Sequence, residues 1–524
     1  MINRLIILML LATPVRAAEI IVTFLPENPG QRFGADMGWT GDVNGDGVDD
    51  FLVIDSYQAG NGYSGRAYVY FGGPQFDEEP DLILQQDASG RLEQALEGPF
   101  DFNGDGFGDL AVSSPSYDID GMANAGAVFI YFGGPELDAV ADHVIPGPWR
   151  DNYFGELIAR AGHFNTEDDY DDIVVKKPGI RGWTTPPTVE VYLGGPSPSL
   201  ESAWGRQYAD YGDDSNGAVA FAGDTNGDGA DDLIVGIPWK DGWTGGFAAG
   251  EVKILHGGEL MWNGGFPYQI LFCDQALLGT SADGAFDFNG DGYDDVIATA
   301  PYIQESRLIL GDADPSSATV LSLIPGENTA GLGDVDGDGF DDLAITDLDG
   351  AVWIFLGGAE PDTLPDQVIR AEPSETWMWL DVARAGDFDA DGLDDIAVRA
   401  SWHDEGYVYD SFVRLYRGIG GAVETPLDTP GLPVLSYDGS TPNPFNAHVE
   451  ICYSLGVESL AHVRLFDARG RLVRTLFDGM QTIGSHAVTW DGRDECGRGL
   501  PSGVYFVQVL GQGRAVGGRV TLVK

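Results

Sequence analysis

Cysteine is scarce in this chain: Cys273, Cys452 and Cys496 are the three among 524 residues. No zinc-site spacing occurs, and an odd number excludes a framework in which every thiol is paired. Cys452 and Cys496 share the last stretch of chain and can pair, whereas Cys273 reads as a small buried apolar residue. Positive charge is scarce too. Lys and Arg number 28 against 83 Asp and Glu, a formal net charge of −55. Nucleic acid and anionic membrane are both polyanions, so neither is expected as a partner. Past the N-terminus no segment approaches 18 apolar residues, so no direct membrane insertion is expected. Catalytic signatures are missing: H-E-x-x-H and G-x-S-x-G do not occur, and the seven histidines have no partner at a motif spacing. His143, His163, His256 and His403 read as single turn, loop or strand residues, and His448, His462 and His486 fall in the last 85 or so residues.

Glycine, by contrast, is abundant at 75 residues, with 21% charged residues, which suits a turn-rich β protein better than a disordered chain. Residues 1–18 have the layout of a signal peptide: Arg4 gives a positive start, Leu5 to Leu11 a short apolar core, and Val15-Arg-Ala17-Ala18 small residues for cleavage. The chain is therefore expected outside the cell or on its outer surface.

One stretch organises the rest. Asp42-Val-Asn44-Gly-Asp46-Gly47-Val48-Asp-Asp50 places oxygen-bearing side chains at positions 1, 3, 5 and 9. A glycine at position 6 permits a sharp turn, and position 7 offers a backbone carbonyl. That is the ligand set of a calcium loop of the EF-hand kind, without its position-12 Glu or its flanking helices. The stretch returns five times. The ligand positions are Asp101, Asn103, Asp105, Phe107 and Asp109; Asp224, Asn226, Asp228, Ala230 and Asp232; and Asp287, Asn289, Asp291, Tyr293 and Asp295. They continue as Asp334, Asp336, Asp338, Phe340 and Asp342, and as Asp387, Asp389, Asp391, Leu393 and Asp395. Ala390 replaces the glycine of position 4, which carries no ligand, so that site is expected to hold. A degenerate copy, His163-Phe-Asn165-Thr-Glu167, has His for the first Asp and no glycine turn, and no well-formed metal site is expected there. About six structural Ca2+ sites follow. Even with six calcium ions bound the chain stays strongly acidic.

From Asp42 the loops recur every 59, 62, 61, 63, 47 and 53 residues, the signature of one repeated supersecondary unit. In each unit an apolar run enters the loop and a second leaves it. A third, such as Glu251-Val-Lys-Ile-Leu255 or Ala351-Val-Trp-Ile-Phe355, often ends on Gly-Gly, and a fourth follows. Seven four-stranded units predict an all-β fold, a seven-bladed β-propeller over residues 19–425. The seventh unit has no fourth strand after Phe412 to Tyr416, so Glu19 to Phe24 is expected to supply it and latch the ring.

These repeats resemble FG-GAP repeats, as in the integrin alpha-chain propeller. The FG stands as Phe33-Gly34 and Phe154-Gly155, and the GAP-like strand ends as Ser113-Ser-Pro115, Gly236-Ile-Pro238 and Thr299-Ala-Pro301. The resemblance implies calcium in the loops and recognition on the face opposite them. That face carries the connections between second and third strands, with Tyr57, Tyr63, Tyr117, Trp183, Trp239, Trp243, Phe247, Tyr302, Trp402 and Tyr407. An aromatic rim of this kind suits sugar rings or a protein patch.

A Pro/Gly-bearing linker is expected at 426–440, and alternating apolar residues over 441–524 predict an Ig-like β-sandwich of about seven strands. This tail resembles the Ig-like domain of flagellar hook-capping proteins and the C-terminal sorting domain of type IX secretion. That resemblance implies a bacterial protein passed to secretion machinery through its C-terminal domain. The composite reading is a secreted or cell-surface calcium-binding propeller acting as an adhesion or ligand-binding module for an extracellular protein or glycan. A polysaccharide-active lyase or hydrolase using the acidic central funnel, or a spacer with no ligand, are the alternatives.

Overall fold

The computed structural model describes residues 19–524 except 28–31, 57, 60–61, 64, 87–90, 97, 166–167, 169, 178–187, 208–216, 241–249, 259–267, 273–276, 371–377, 404–408, 420–435, 456–458, 467–471, 483, 495–497 and 512–513. Seven four-stranded antiparallel sheets occupy the first four-fifths of the chain. The first sheet joins Phe33–Gly41, Asp50–Asp55, Arg66–Tyr70 and Leu82–Gln85, and the next five repeat that order. In the seventh, Met378–Gly386, Asp395–His403 and Tyr409–Tyr416 come from one end of the propeller chain. Ile20–Phe24 comes from the other and pairs with Tyr409–Tyr416, as Phe24 opposite Val413. The expected latch is present.

The innermost strands lie side by side in sequence, and Met378–Gly386 meets Phe33–Gly41 to close the ring. The sheets are thus the blades of a propeller, whose edges are hidden by radial repetition. Its core is divided into seven apolar layers, one between each pair of neighbouring blades. Second strands such as Asp232–Ile237 are buried along their whole length, which explains their unbroken apolar sequence. Phe24 is fully buried in the layer between blades seven and one, its ring 3.8 Å from that of Tyr70. Burial of one such ring stabilises by about 1.5–3 kcal/mol, so the latch is a packing event as well as a hydrogen-bonded one.

The C-terminal strands form a three-stranded and a four-stranded antiparallel sheet. About seven strands were expected, and seven lie among the described residues. Their shared core centres on Trp490, which is fully buried; its ring lies 5.0 Å from that of Tyr505 and 5.3 Å from that of Phe445. The first of these strands, Ser436–Thr441, pairs with Val449–Leu455 and so begins inside the stretch expected as linker. Cys273, Cys496 and the turn expected at Asp467 to Gly470 lie outside the described residues.

Candidate metal loops and the opposite face

Each Asp-rich loop joins the first and second strands of its blade. In the first, Asp42 Oδ1 accepts the backbone N–H of Gly45 at 2.7 Å and of Asp46 at 3.0 Å, and Oδ2 that of Gly47 at 2.8 Å. Asn44 Oδ1 accepts from Asp46 N–H, and Asp46 Oδ1 from Val48 N–H, at 2.8 and 3.0 Å. These are Asx turns in series, which draw positions 1, 3 and 5 together. The same bonds recur at Asp101, Asn103 and Asp105, and at Asp224, Asn226 and Asp228. The loops of blades five and six repeat most of them. Where position 3 is Asp, the convergence yields carboxylate triads. Asp334, Asp336 and Asp338, like Asp387, Asp389 and Asp391, bring an oxygen each to within 4.8 Å of one another. Oxygen donors on one tight turn fit a hard divalent cation.

Position 9 is different. Asp50 is fully buried; its Oδ2 accepts Val43 N–H at 2.9 Å and its Oδ1 Gly72 N–H at 3.0 Å, beyond the third strand. Asp109, Asp295, Asp342 and Asp395 repeat both bonds. Burial pushes the carboxyls of Asp50 and Asp109 up to about 7, and those of Asp295, Asp342 and Asp395 up to about 8. In the degenerate third loop Asp172 is still fully buried and still accepts Gly194 N–H, although the metal pattern has gone. Position 9 is therefore a staple between loop and blade whatever else it does. Thr166, Glu167 and Asp169 of that loop lie outside the described residues.

Position 8 carries a second staple that the ligand pattern passes over. Asp171, Asp231, Asp294, Asp341, Asp394 and Asp49 each accept, through Oδ2, the backbone N–H of position 1 in the preceding blade, at 2.7–3.0 Å. Gly108 is the exception and joins Asp42 by its backbone alone. The repeated Asp-Asp doublet was the available signal. The Gly-Gly after the third strand completes the contact: Gly73 N–H reaches Phe388 O at 2.7 Å, and a Cβ on Gly72 would lie 2.1 Å from Asp49 O.

Position 4 departs from its expected neutrality. Gly45 has φ +82°, and a Cβ there would lie 2.6 Å from the Phe107 ring of the next blade's loop. Ala390 occupies the same left-handed region at φ 60°, where a side chain costs about 1–2 kcal/mol. The following loop around the ring carries Val48 at position 7, where most others carry a ring or a leucine.

On the opposite face Trp239 is 49% and Tyr302 75% exposed. Tyr117, expected there as a contact residue, turns inward and sets its ring edge-on at 5.2 Å to Phe129, because the apolar layer beneath it is open to a ring. Trp402 lies in the strand Asp395–His403, paired with Asp410, rather than in a loop. Tyr57, Trp183, Trp243, Phe247 and Tyr407, and the side chains of Tyr63 and Trp402, lie outside the described residues. The connections of blades five and six are short: the 3-10 turn Pro301–Ile303 and Asp347 to Gly350. Two exposed aromatics were missed. Trp149 and Tyr153, 46% and 40% exposed, stand in the connection from blade two to blade three, which reaches this same face. Tyr153 N–H is held by Asn124 O at 3.1 Å in the neighbouring connection, with φ 51°. The run Pro148-Trp149-Arg-Asp-Asn-Tyr153, aromatics spaced by turn residues, was their signal.

The ring encloses a central cavity of ≈ 340 Å³ lined by all seven inner strands. Its charged groups have structural partners. Asp36 Oδ2 accepts Ala95 N–H and Asp283 Oδ2 accepts Gly331 N–H, both at 2.8 Å and both between blades. Arg384 grips Asp394 with two nitrogens and lies 4.0 Å from the Trp39 ring; Arg160 pairs with Asp171. Burial raises Asp36 to about 7 and Asp283 to about 6. These side chains brace blade junctions.

Family models and sequence relatives agree with this architecture. Family models match residues 99–131 and 278–306 as FG-GAP repeats, 334–398 as an FG-GAP-like repeat, and 449–514 as a FlgD Ig-like domain. Integrin alpha-5 of Xenopus laevis is 32% identical over 188 residues, which is 34% of this chain and 17% of that protein. The phosphatidylinositol-glycan-specific phospholipase D of Bos taurus is 31% identical over 170 residues, 30% of this chain and 20% of that one. The matched stretches thus span about a fifth or less of these relatives' own length. Among solved structures the Dos1 propeller aligns with 77% of this chain and 96% of its own, at 11% identity and a TM-score of 0.40. The protein carries FG-GAP repeats in an all-β propeller similar to that of integrin alpha chains, followed by a FlgD-type Ig-like domain.

Proposed function

We propose that the protein is an exported calcium-binding adhesion module, its propeller held by calcium in the Asp-rich loops and its opposite face binding an extracellular protein or glycan. The observation that carries the reading is the serial Asx turn, repeated nearly bond for bond in five loops, which gathers donors of the kind calcium takes without leaving room for a substrate. Residues 1–18 support export, and 441–524 serve as the Ig-like domain through which secretion machinery acts.

The exposed aromatics Trp149, Tyr153, Trp239 and Tyr302 support the opposite face as the binding surface. Its test is saturable binding on panels of glycans and extracellular matrix proteins. Trp239→Ala with Trp149→Ala should abolish binding and leave the melting temperature unchanged. Binding that persists in this double variant would overturn the assignment of the face, and turnover of a polysaccharide would favour an enzyme.

A further inference from the structure

The loop of blade seven differs from the others in what lies against it. The residue that follows the third strand is Phe71, Phe132, Leu193, His256, Leu310 or Leu356 in blades one to six, and Arg417 in blade seven. Arg417 Nε donates to Asp389 Oδ2 at 2.7 Å, and Nη2 also pairs with Asp389; Nε stands 3.4 Å from Asp391 Oδ2. The guanidinium therefore bears on positions 3 and 5 of the triad, whereas in blade four the corresponding His256 sets Nδ1 3.0 Å from the Asn226 amide nitrogen and 2.9 Å from Asp232 Oδ2.

The loop has adjusted to it. In the five other well-formed loops the position-3 oxygen accepts the N–H of position 5, as Asp336 does from Asp338 at 3.0 Å. Asp389 instead gives one oxygen to Arg417, and its Oδ1 is buried with no hydrogen-bond partner. Ala390, at φ 60°, follows it where four other loops send a glycine N–H to the position-1 carboxylate.

We infer that Arg417 takes the place of calcium in the last loop, so that blade seven is held by an internal cation while the other five well-formed loops take the metal. This rests on the calcium reading above. A guanidinium within hydrogen-bond reach of Asp389 neutralises the carboxylates an ion would need and repels a second cation at that distance. The location gives it a purpose. Arg417 N–H donates to Glu19 O at 2.9 Å, and its Nη1 lies 3.7 Å from Glu19 Oε1, so the same residue fastens the N-terminal strand that latches the ring. The junction that closes the propeller is thereby independent of metal supply.

The test is a count of bound calcium after equilibrium dialysis of the purified protein at millimolar calcium. The wild type should hold five ions per chain, and Arg417→Ala or Arg417→Gln should hold six. Asp391→Ala should leave the count at five, whereas Asp338→Ala should lower it to four. This pair reads the assignment even where an Arg417 variant fails to fold. Six ions in the wild type, or loss of an ion in Asp391→Ala, would overturn the inference while leaving the calcium reading intact. No bound calcium in any variant would overturn both.

Discussion

The carboxylate of Asp49 in the first blade accepts the backbone N–H of Asp387 in the seventh at 3.0 Å, across a chain separation of 338 residues. The same bond joins five other blade pairs, but only this one spans the closure of the ring. Asp49→Ala should therefore cost about 1–3 kcal/mol by leaving that N–H without its charged acceptor. Phe24→Ala, emptying the apolar layer at the same junction, should cost about 3–5 kcal/mol. Denaturant unfolding of both variants checks this, and a double variant whose loss falls clearly short of the sum would show that the two act on one closure event.

Position 4 gives a second pair of opposite sign. Gly45→Ala must place a methyl at φ +82° against the Phe107 ring, and should destabilise by roughly 2–4 kcal/mol. Ala390→Gly relieves the same backbone strain and should stabilise by up to about 1 kcal/mol, the gain being offset in part by a freer unfolded chain. Melting temperatures measured in chelator separate these changes from metal binding.

Much of this was legible in the sequence. The recurrence of Asp42-Val-Asn44-Gly-Asp46-Gly47 at a steady period gave the blades, and the missing fourth strand of the last unit gave the latch, because radial repetition needs every sheet completed. Asp49 and its counterparts were passed over for a physical reason: a ligand pattern credits a carboxylate with one task, while positions 8 and 9 serve the next blade and the next strand. Tyr117 is half-buried against Phe129, and sequence does not tell a ring that caps an apolar layer from one that faces water. Arg417 was invisible because its partner loop lies some 26 residues earlier in the chain and meets it only through sheet register.

The central cavity predicts a pH dependence. Asp36 and Asp283 have folded pKa values of about 7 and about 6, above the usual carboxylate value near 4. Between those limits the native state holds protons that the unfolded chain has released. Their contribution is full below about pH 4 and is lost as pH rises to 7. The double variant Asp36→Asn with Asp283→Asn should lose less stability than the wild type between pH 5 and pH 8, measured by urea unfolding in chelator. An unchanged slope would mean that these carboxyls titrate normally.

A single loop can be silenced. Asp228→Ala removes the position-5 donor of the fourth blade and should cost one calcium ion per chain. It should lower the melting temperature chiefly when calcium is present, since only the native state gains from binding. Isothermal titration beside thermal unfolding reads both quantities, and an unchanged calcium-dependent shift would show that this loop holds no ion.

The most direct measurement is thermal unfolding of the protein with calcium and with chelator, beside a count of bound metal. A large rise in melting temperature on adding calcium is expected, with five ions per chain. Equal melting temperatures and no bound metal would contradict it, and would leave the loops as Asp-rich turns whose carboxylates serve only to hold blade to blade.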